Sequence, residues 1–357
     1  MEAEMSESAI AMIPSMKAHK IHLGFIMCAL IGLLVVVLLL SIGIGAVKVP
    51  IDSVLGFLLG QRSLSPNEKV ILFQIRLPRI LAAGLVGAAL SVAGLLFQGL
   101  FRNPLADPYV IGSSGGAVLG GSVGMFMLPQ FSWFGFSATA VLAFVGSAAT
   151  IGLVYWLARV SGRTPIVNLL LAGFAVSTML SYSSYFVEIL GEDYGVGMRA
   201  LASWLHGVIG VPSWTQLSVI AVMTCLGGLF SLPLARRLNT LALGEGYAHQ
   251  LGIRVEYTRI GIIAVGSLLT AAAVSVGGLI SFVGLVVPHL GRMMMGPDNV
   301  RLLPVTALLG AILLMLTDTL ARTLLAPSEL PVGVLMAFIG GPFFLYLLRK
   351  TKREYSL

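Results

Sequence analysis

The stretch IHLGFIMCALIGLLVVVLLLSIGIGAV, residues 21–47, contains no Asp, Glu, Lys or Arg. A helix that crosses a membrane needs about 20 apolar residues. The apolar core of a secretory signal is shorter, at about 7–15 residues. The stretch therefore predicts a first membrane span rather than a cleaved signal peptide.

The whole chain has the same character. Of its 357 residues, 57% are hydrophobic and 10% are charged, whereas soluble domains are about 25% charged. This composition excludes a soluble enzyme. The net charge of +7 does not form a basic patch interleaved with aromatic residues, which argues against nucleic-acid binding. Cys28 and Cys225 lie in apolar stretches without metal-ligand spacing, which predicts core packing for both.

Charged residues divide the chain into apolar blocks. The block between Asp107 and Arg159 is long enough for two spans, with a turn predicted at residues 128–130, Leu-Pro-Gln. Its first half carries glycines at every fourth position. Such spacing puts them on one helix face and predicts close packing against a neighbouring helix. These glycines are Gly112, Gly116, Gly120 and Gly124.

The block between Arg259 and Arg292 decides the topology, because it is long for one span and short for two. Two spans, the second short and broken near Gly284 and Pro288, place the basic tail after residue 348 in the cytoplasm, as the positive-inside rule expects. The predicted fold class is therefore an all-α polytopic membrane protein with ten transmembrane helices and both termini cytoplasmic. Of the 22 Lys and Arg residues, 15 then lie inside and 7 outside.

This topology divides the chain into a cytoplasmic N-terminal segment (1–20), one ten-helix membrane domain (21–348) and a cytoplasmic tail (349–357). The longest internal cytoplasmic loop covers about residues 236–256. Its apolar residues, interrupted by Gly244 and Gly246, predict two short amphipathic helices on the membrane surface. The pattern leaves open whether this is an interfacial loop or a lever that a partner pushes.

The sequence lacks the common coupling and catalytic motifs. It has no GxxxxGK[ST], HExxH or GxSxG. Few ionisable groups lie in mid-span, and the nearest candidate, Asp318, is close to the outer end of its span. These features favour a pore-forming subunit whose energy comes from a partner. The alternative is an ion-gradient-driven secondary transporter, which would need ionisable groups in mid-membrane or an inverted repeat.

Four stretches resemble the FecCD family, the permease subunits of type II ABC importers for iron-siderophores, haem and vitamin B12. They are RLPRILAAGLVGAALSVAGLLFQGLFRNPLADPYVIGSSGGA (76–117), LNTLALGEGYAHQLGI (238–253), GGLISFVGLVVPHLGR (277–292) and LTDTLARTLLAPSELPVGVLMAFIGGPFFLYLL (316–348). The resemblance covers about residues 25–349. It implies an importer permease of a metal chelate in the cytoplasmic (inner) membrane of a prokaryote.

The resemblance also implies partners. A second permease subunit, expected to be identical, would form the substrate path at a homodimer interface. Two ATP-binding cassette subunits would lie in the cytoplasm, and a substrate-binding protein would deliver the chelate outside. The chain itself is then expected to be no enzyme and to hold no cofactor or metal, since ATP is hydrolysed in the partner.

Site residues follow from the positions that match the family motifs. Leu243, Gly244, Glu245 and Ala248 are expected to dock into the ATPase subunit. Arg76, Arg79 and Arg322 are expected to pair with acidic residues of the binding protein, because Arg can grip a carboxylate with two hydrogen bonds. Their alternative role is snorkelling at span ends.

The helix near residue 180 resembles the path-lining region of the family. Met179, Tyr182 and Tyr185 are candidates for this lining, although the same residues could pack against other spans. Two departures from the family pattern lie near the expected entrance and bear on substrate identity rather than on fold. They are His206 before Gly207, and the acidic residues Glu188, Glu192 and Asp193.

Overall fold

The computed structural model describes residues 16–45, 56–57, 60–61, 64–190, 194–326 and 328–355. The described part is almost entirely helical, as predicted, with one short hairpin. Its elements are α1 (Met16–Gly43), α2 (Pro66–Phe101, with a π-helical stretch at Ile71–Arg76), α3 (Ser113–Met127), β1 (Ser132–Trp133), β2 (Phe136–Ser137), α4 (Ala138–Ala158), α5 (Ile166–Leu190), α6 (Tyr194–Leu205), α7 (Trp214–Ala242), α8 (Glu245–Gln250), α9 (Val255–Gly277), α10 (Val283–Met295), α11 (Asn299–Thr323) and α12 (Val332–Tyr355).

Seven of the described helices are long and apolar enough to cross a membrane: α1, α2, α4, α5, α7, α9 and α11. The chain is therefore a multi-pass membrane protein. Three further helices lie where the sequence predicts spans, but α3 has only 15 residues and α10 only 13, and the apolar part of α12 ends at Leu347. A helix of 15 residues is about 22 Å long, which is less than the bilayer core of about 30 Å.

Local sequence sets several helix starts. Ser65 and Glu68 form a capping box at the start of α2, in which Ser65 N–H donates to Glu68 Oε2 at 2.8 Å. Ser213 and Gln216 form the same arrangement at the start of α7. Asp298 accepts the Val300 N–H at 3.0 Å before α11. Each cap uses backbone donors that the first helical turn leaves unpaired.

Helix α2 lies at the centre of the fold, with 83% of its most apolar window buried. Its neighbours approach so closely that glycine is required. A Cβ at Gly87 would lie 2.1 Å from the carbonyl oxygen of Gly310 in α11, and one at Gly94 would lie 1.9 Å from that of Gly284 in α10. Small residues at such crossings let helix backbones touch in lipid.

Three of the four glycines predicted to share one helix face pack closely as expected, whereas Gly112 lies before α3 with φ +93° and approaches Gly173 of α5. A Cβ at Gly116 would lie 2.2 Å from Gly146 O, one at Gly120 would lie 2.0 Å from Leu142 O, and one at Gly124 would meet Ala138. All three contacts are on α4. The predicted turn after Leu128 is confirmed, and it continues into the β1–β2 hairpin.

The short helices α3 and α10 follow non-helical segments that meet beside α2. Tyr109 in the 102–112 segment accepts the Ile280 N–H at 3.3 Å through its hydroxyl. Gln98 donates to the carbonyls of Ala106 and Gly284 at 3.3 and 3.0 Å. Gly284, just after the 278–282 segment, meets α2 at Gly94. Gly94 is about 10 Å along the helix from its end at Phe101, so the non-helical segments enter the depth of the helix bundle. Non-helical backbone at such depth must be paired inside the protein, and these bonds do so.

Several sequence predictions need correction. Helix α10 begins at Val283 and runs through Pro288 without a break. Cys28 and Cys225 are exposed rather than packed in the core. The first part of the 236–256 loop continues α7 to Ala242, so the loop forms one short separate helix, α8, and not two. The tail predicted at 349–357 is helical as far as Tyr355, and residues 1–15 lie outside the described part.

Candidate functional site

Two groups of contacts between segments lie at well-separated levels of α2. Arg79, in the first half of the helix, contacts Asp318 and Glu329. Arg102, after its end, donates to the Leu241 carbonyl of α7. The two arginines are separated by about 35 Å of helix. The sequence predicts the first group outside and the second inside, and the structure keeps the two groups apart.

The inner end carries the segment predicted to dock with an ATPase. Gly244 has φ +121°, a backbone conformation that favours glycine, and it allows the chain to turn sharply from α7 into α8. Leu243 is 67% exposed and the side chain of Glu245 is 54% exposed. Ala248, by contrast, is fully buried. Its side chain is turned inward and anchors α8, and the docking of Ala248 into the ATPase subunit stays a prediction.

Two exposed residues of this segment were missed in the sequence. Tyr247 and Leu251 are each 67% exposed, as is Leu243. The three residues recur at every fourth position, and that spacing was the available signal. We call Leu243, Glu245, Tyr247 and Leu251 the docking patch. An exposed apolar patch at the end of a membrane-protein helix bundle is typical of a protein interface.

The outer end carries the three predicted docking arginines. Arg79 Nε donates to Asp318 Oδ1 at 3.1 Å, and its Nη1 donates to Glu329 Oε2 at 2.8 Å. Arg322 Nε lies 3.0 Å from Asp318 Oδ2. Arg76 donates to the carbonyl of Ile42 at 2.7 Å. We call Arg76, Arg79, Arg322, Asp318 and Glu329 the outer arginine cluster.

The cluster is largely buried. Asp318 is fully inaccessible, and the side chains of Arg79 and Arg322 are 8% and 7% exposed. Glu329 differs, with 44% of its side chain exposed. Burial of the Arg79 and Arg322 side chains does not fit snorkelling at span ends, and pairing of the arginines with a binding protein stays a prediction. In this structure the three arginines connect the first half of α2 to the ends of α1 and α11, and Glu329 is the accessible member of the cluster.

Helix α5 carries the predicted path-lining residues. Met179, Tyr182 and Tyr185 are all more than half exposed. Only 11% of the most apolar window of α5 is buried, less than in any other candidate span among the described residues. On the opposite side, Ser177 Oγ accepts the Gly115 N–H of α3 at 3.0 Å. The structure therefore presents the three residues on a face that the described part of the chain does not cover.

The two departures from the family pattern lie in different settings. His206 is exposed and lines an open cavity with Ser281 and Phe338. Glu188 is buried beside Ser184, whose hydroxyl donates to it at 3.2 Å. Glu192 and Asp193 lie outside the described residues.

The model of the FecCD transport family matches residues 33–350, which is most of the chain. The chain belongs to the FecCD transport family. This agrees with the resemblance found in the four sequence stretches, and it accounts for their order along the chain.

Named relatives are similar to this chain over three quarters or more of their own length. The hemin transport system permease protein HmuU of Yersinia pestis is 39% identical over 94% of this chain and 98% of its own. The cobalamin import system permease protein BtuC of Halobacterium salinarum is 42% identical over 81% and 76%. The molybdate import system permease protein MolB of Haemophilus influenzae is 34% identical over 90% and 94%.

A solved structure supports the fold. It is described as an inward-facing conformation of an ABC transporter of the metal-chelate type, and it is 32% identical in sequence. The match covers 92% of this chain and 99% of that one, with a TM-score of 0.80. The FecCD chain described here therefore shares the overall architecture of that transporter chain.

Proposed function

We propose that this chain is the permease subunit of an ATP-driven importer of a metal chelate: a ferric siderophore, haem or a cobalamin. The single observation that carries the proposal is the docking patch at the inner end of a FecCD-family helix bundle. An exposed apolar and acidic surface of this kind serves a chain that takes its energy from a partner. The relatives named for hemin and cobalamin support the substrate class.

We further propose a ten-span topology with both termini cytoplasmic. The three short helices α3, α10 and α12 would join the seven long ones as spans, because the 102–112 and 278–282 segments extend α3 and α10 through the remaining depth. The chain would reside in the cytoplasmic membrane of a prokaryote. Two copies would meet along α5, where the hydroxyl groups of Tyr182 and Tyr185 favour an interface or a wet path over lipid.

The function is tested by uptake. A strain lacking this gene, with and without a plasmid copy, is given iron-labelled siderophores, haem, cobalt-labelled cobalamin and molybdate. We expect loss of one chelate and its recovery on complementation. Purified chain alone in vesicles should transport nothing under a proton or sodium gradient. Transport by the chain alone would instead show that it is a secondary transporter. Loss of molybdate uptake only would show that the substrate is an oxyanion and not a metal chelate.

Coupling is tested at Glu245. Glu245→Arg puts a like charge beside Arg259, which Glu245 contacts in this structure, and reverses the charge that the docking patch offers to the ATPase. Losing one member of a charge pair at an interface costs about 2 kcal/mol or more, or about 30-fold in Kd. We expect ATPase binding, measured by pull-down and titration in nanodiscs, to weaken accordingly while membrane insertion is unchanged. Normal binding and uptake would contradict the coupling assignment.

Docking of the binding protein is tested at Glu329, the accessible member of the outer arginine cluster. An incoming carboxylate reaches Arg79 by displacing Glu329 from it. Glu329→Gln removes this competitor, so the binding protein should bind more tightly, by about 1 kcal/mol or about fivefold in Kd. The gain should shrink as salt rises.

The matched control for this docking test is Glu68→Gln. It removes one negative charge on the predicted outer side, and glutamine also serves in a capping box. Titration of the binding protein onto nanodiscs should therefore give nearly wild-type affinity for this control. An unchanged or weaker affinity for Glu329→Gln would contradict the exchange of carboxylates on Arg79.

A further inference from the structure

Four cytoplasmic segments meet around one ion pair at the inner end. Arg259, in the first turns of α9, contacts the carboxylate of Glu245 in α8. Its Nη1 also lies 3.4 Å from Glu256 Oε2 on its own helix. The Arg259 side chain is only 13% exposed and that of Glu256 is 24% exposed. Shielding from water makes such charge-assisted contacts stronger than they are at a fully exposed surface.

Glu256 extends these contacts to the connection between α4 and α5. Its Oε1 accepts the hydroxyl of Tyr155 at 3.0 Å and that of Thr164 at 2.5 Å. Tyr155 belongs to the last turn of α4, and Thr164 precedes α5 by two residues. Thr164 is 2% exposed. The same carboxylate therefore touches α9, the end of α4 and the entry to α5.

The connection between α4 and α5 contains a tight, hydrogen-bonded turn. Val160 and Arg163 exchange two backbone hydrogen bonds, with Val160 N–H to Arg163 O at 2.8 Å and Arg163 N–H to Val160 O at 3.0 Å. Ser161 and Gly162 between them both have positive φ, as a tight two-residue hairpin turn requires. After Thr164, the Leu169 N–H donates to the Pro165 carbonyl at 3.1 Å and begins the helical bonding of α5. Because only Pro165 separates Thr164 from Ile166, the first residue of α5, a displacement of Thr164 also displaces the start of α5.

We propose that the Arg259–Glu256 pair transmits movement of the docking patch to Thr164 and so to the uncovered face of α5. The proposal rests on the coupling role proposed for Glu245. Arg259 and Glu256 are positioning residues here: they contact neither substrate nor nucleotide. A shift of α8 imposed by the ATPase pulls on Arg259, then on Glu256, and through the two hydroxyls it moves the start of the helix that carries Met179, Tyr182 and Tyr185.

The test removes the hydroxyl contacts and leaves the docking patch intact. The relay variant is Tyr155→Phe with Thr164→Val, which nearly preserves side-chain size. Its matched control is Tyr257→Phe with Thr224→Val. Tyr257 is exposed on the same helix turn as Glu256, and Thr224 Oγ1 has no hydrogen-bond partner among the described residues. The relay variant and the control variant are each studied in the full importer, in nanodiscs and in proteoliposomes.

Three measurements are made on each variant: ATP hydrolysis, uptake per ATP hydrolysed, and the rate at which a water-soluble maleimide labels Cys introduced at Val167. Val167 is exposed at the start of α5, and the exposed Cys28 and Cys225 are first replaced by serine. We expect the control to behave as the wild type. The relay variant should keep its hydrolysis and lose about tenfold in uptake per ATP, a coupling change within the usual allosteric range.

The labelling rate separates transmission from mere packing. In the wild type and the control, trapping the ATPase with vanadate should change the Val167→Cys labelling rate, whereas in the relay variant it should not. Thr164→Ser keeps the hydroxyl group, so this variant should show both the uptake and the vanadate-dependent change in labelling rate of the wild type. Should the double variant fail to insert, Thr164→Val against Thr164→Ser carries the same comparison.

The outcomes separate this proposal from the function on which it rests. If Glu245→Arg uncouples transport and the relay variant transports normally with a normal labelling change, the relay is wrong and the docking patch stands. If Glu245→Arg also transports normally, the coupling assignment itself fails. Loss of transport without rescue by Thr164→Ser would assign Thr164 to packing and would also overturn the relay.

Discussion

Replacing Asp318 with asparagine is expected to lower the free energy of unfolding by about 3–5 kcal/mol, the usual cost of breaking a buried ion pair from one side. Asp318 is fully inaccessible and serves two guanidinium groups, Arg79 at 3.1 Å and Arg322 at 3.0 Å. Asparagine keeps the shape of the side chain and loses its charge. Both arginines would then remain buried without this counter-ion.

The expected loss corresponds to a fall of about 10 °C in the midpoint of thermal unfolding for a chain of this size. It is measured as the monodisperse fraction that survives heating in detergent, at one fixed heating rate. Glu329→Gln is the matched control, because it removes the other carboxylate from the same Arg79. Since Glu329 is partly exposed, this control should cost less than about 1 kcal/mol. Equal stability of the two variants would contradict the structural role assigned to Asp318.

Much of the fold was predictable because lipid imposes simple rules on sequence. Charges bound each apolar block, and the glycine spacing correctly predicted close packing of Gly116, Gly120 and Gly124 against a neighbouring helix, which the structure identifies as α4. The non-helical segments 102–112 and 278–282 were not predicted in their observed form. They depend on bonds between distant residues, such as Tyr109 with Ile280, and local composition does not encode these. Gln98, a polar side chain inside an apolar run, was the one visible sign that buried backbone needed a partner.

The candidate site was predictable to a different degree at each end. At the inner end the sequence predicted an interruption at Gly244, but it did not predict the burial of Ala248, since burial of one small residue depends on the angle of α8. At the outer end it identified three arginines and missed what holds them. Arg79 and Asp318 are 239 positions apart, and no pattern within either segment reveals the pair.

The family resemblance alone made Met179, Tyr182 and Tyr185 of α5 candidates for lining the path, and this lining stays a prediction. The mean composition of α5 is that of any apolar span, so periodicity could not distinguish lipid contact from a path. The structure adds that α5 is the least buried candidate span of the described part. The contacts of Glu256 with Tyr155 and Thr164 were not predictable, because these residues lie 101 and 92 positions away in the sequence.

Gly94→Ala is expected to be among the most damaging single-methyl changes in the chain. A Cβ at this position would lie 1.9 Å from the carbonyl oxygen of Gly284 and 2.6 Å from its Cα. Both atoms are backbone, so no side-chain rotation can relieve the overlap, and α2 and α10 must separate. Overpacking costs about 1–3 kcal/mol in ordinary cores and occasionally more. We expect the upper end of that range, about 3 kcal/mol, because Gln98, one turn further along α2, bonds to the same Gly284 carbonyl.

The intrinsic effect of the same substitution has the opposite sign, since alanine is better than glycine inside a helix by about 0.5–1 kcal/mol. Gly152→Ala in α4 isolates that term, because a Cβ there would meet no atom within 4 Å. The control should therefore be neutral or slightly more stable than the wild type in the same heating assay, while Gly94→Ala falls below it. A Gly94→Ala protein as stable as Gly152→Ala would mean that α2 and α10 do not cross at van der Waals contact. In that case, the buried bonds of Gln98 to the 278–285 region could not form either.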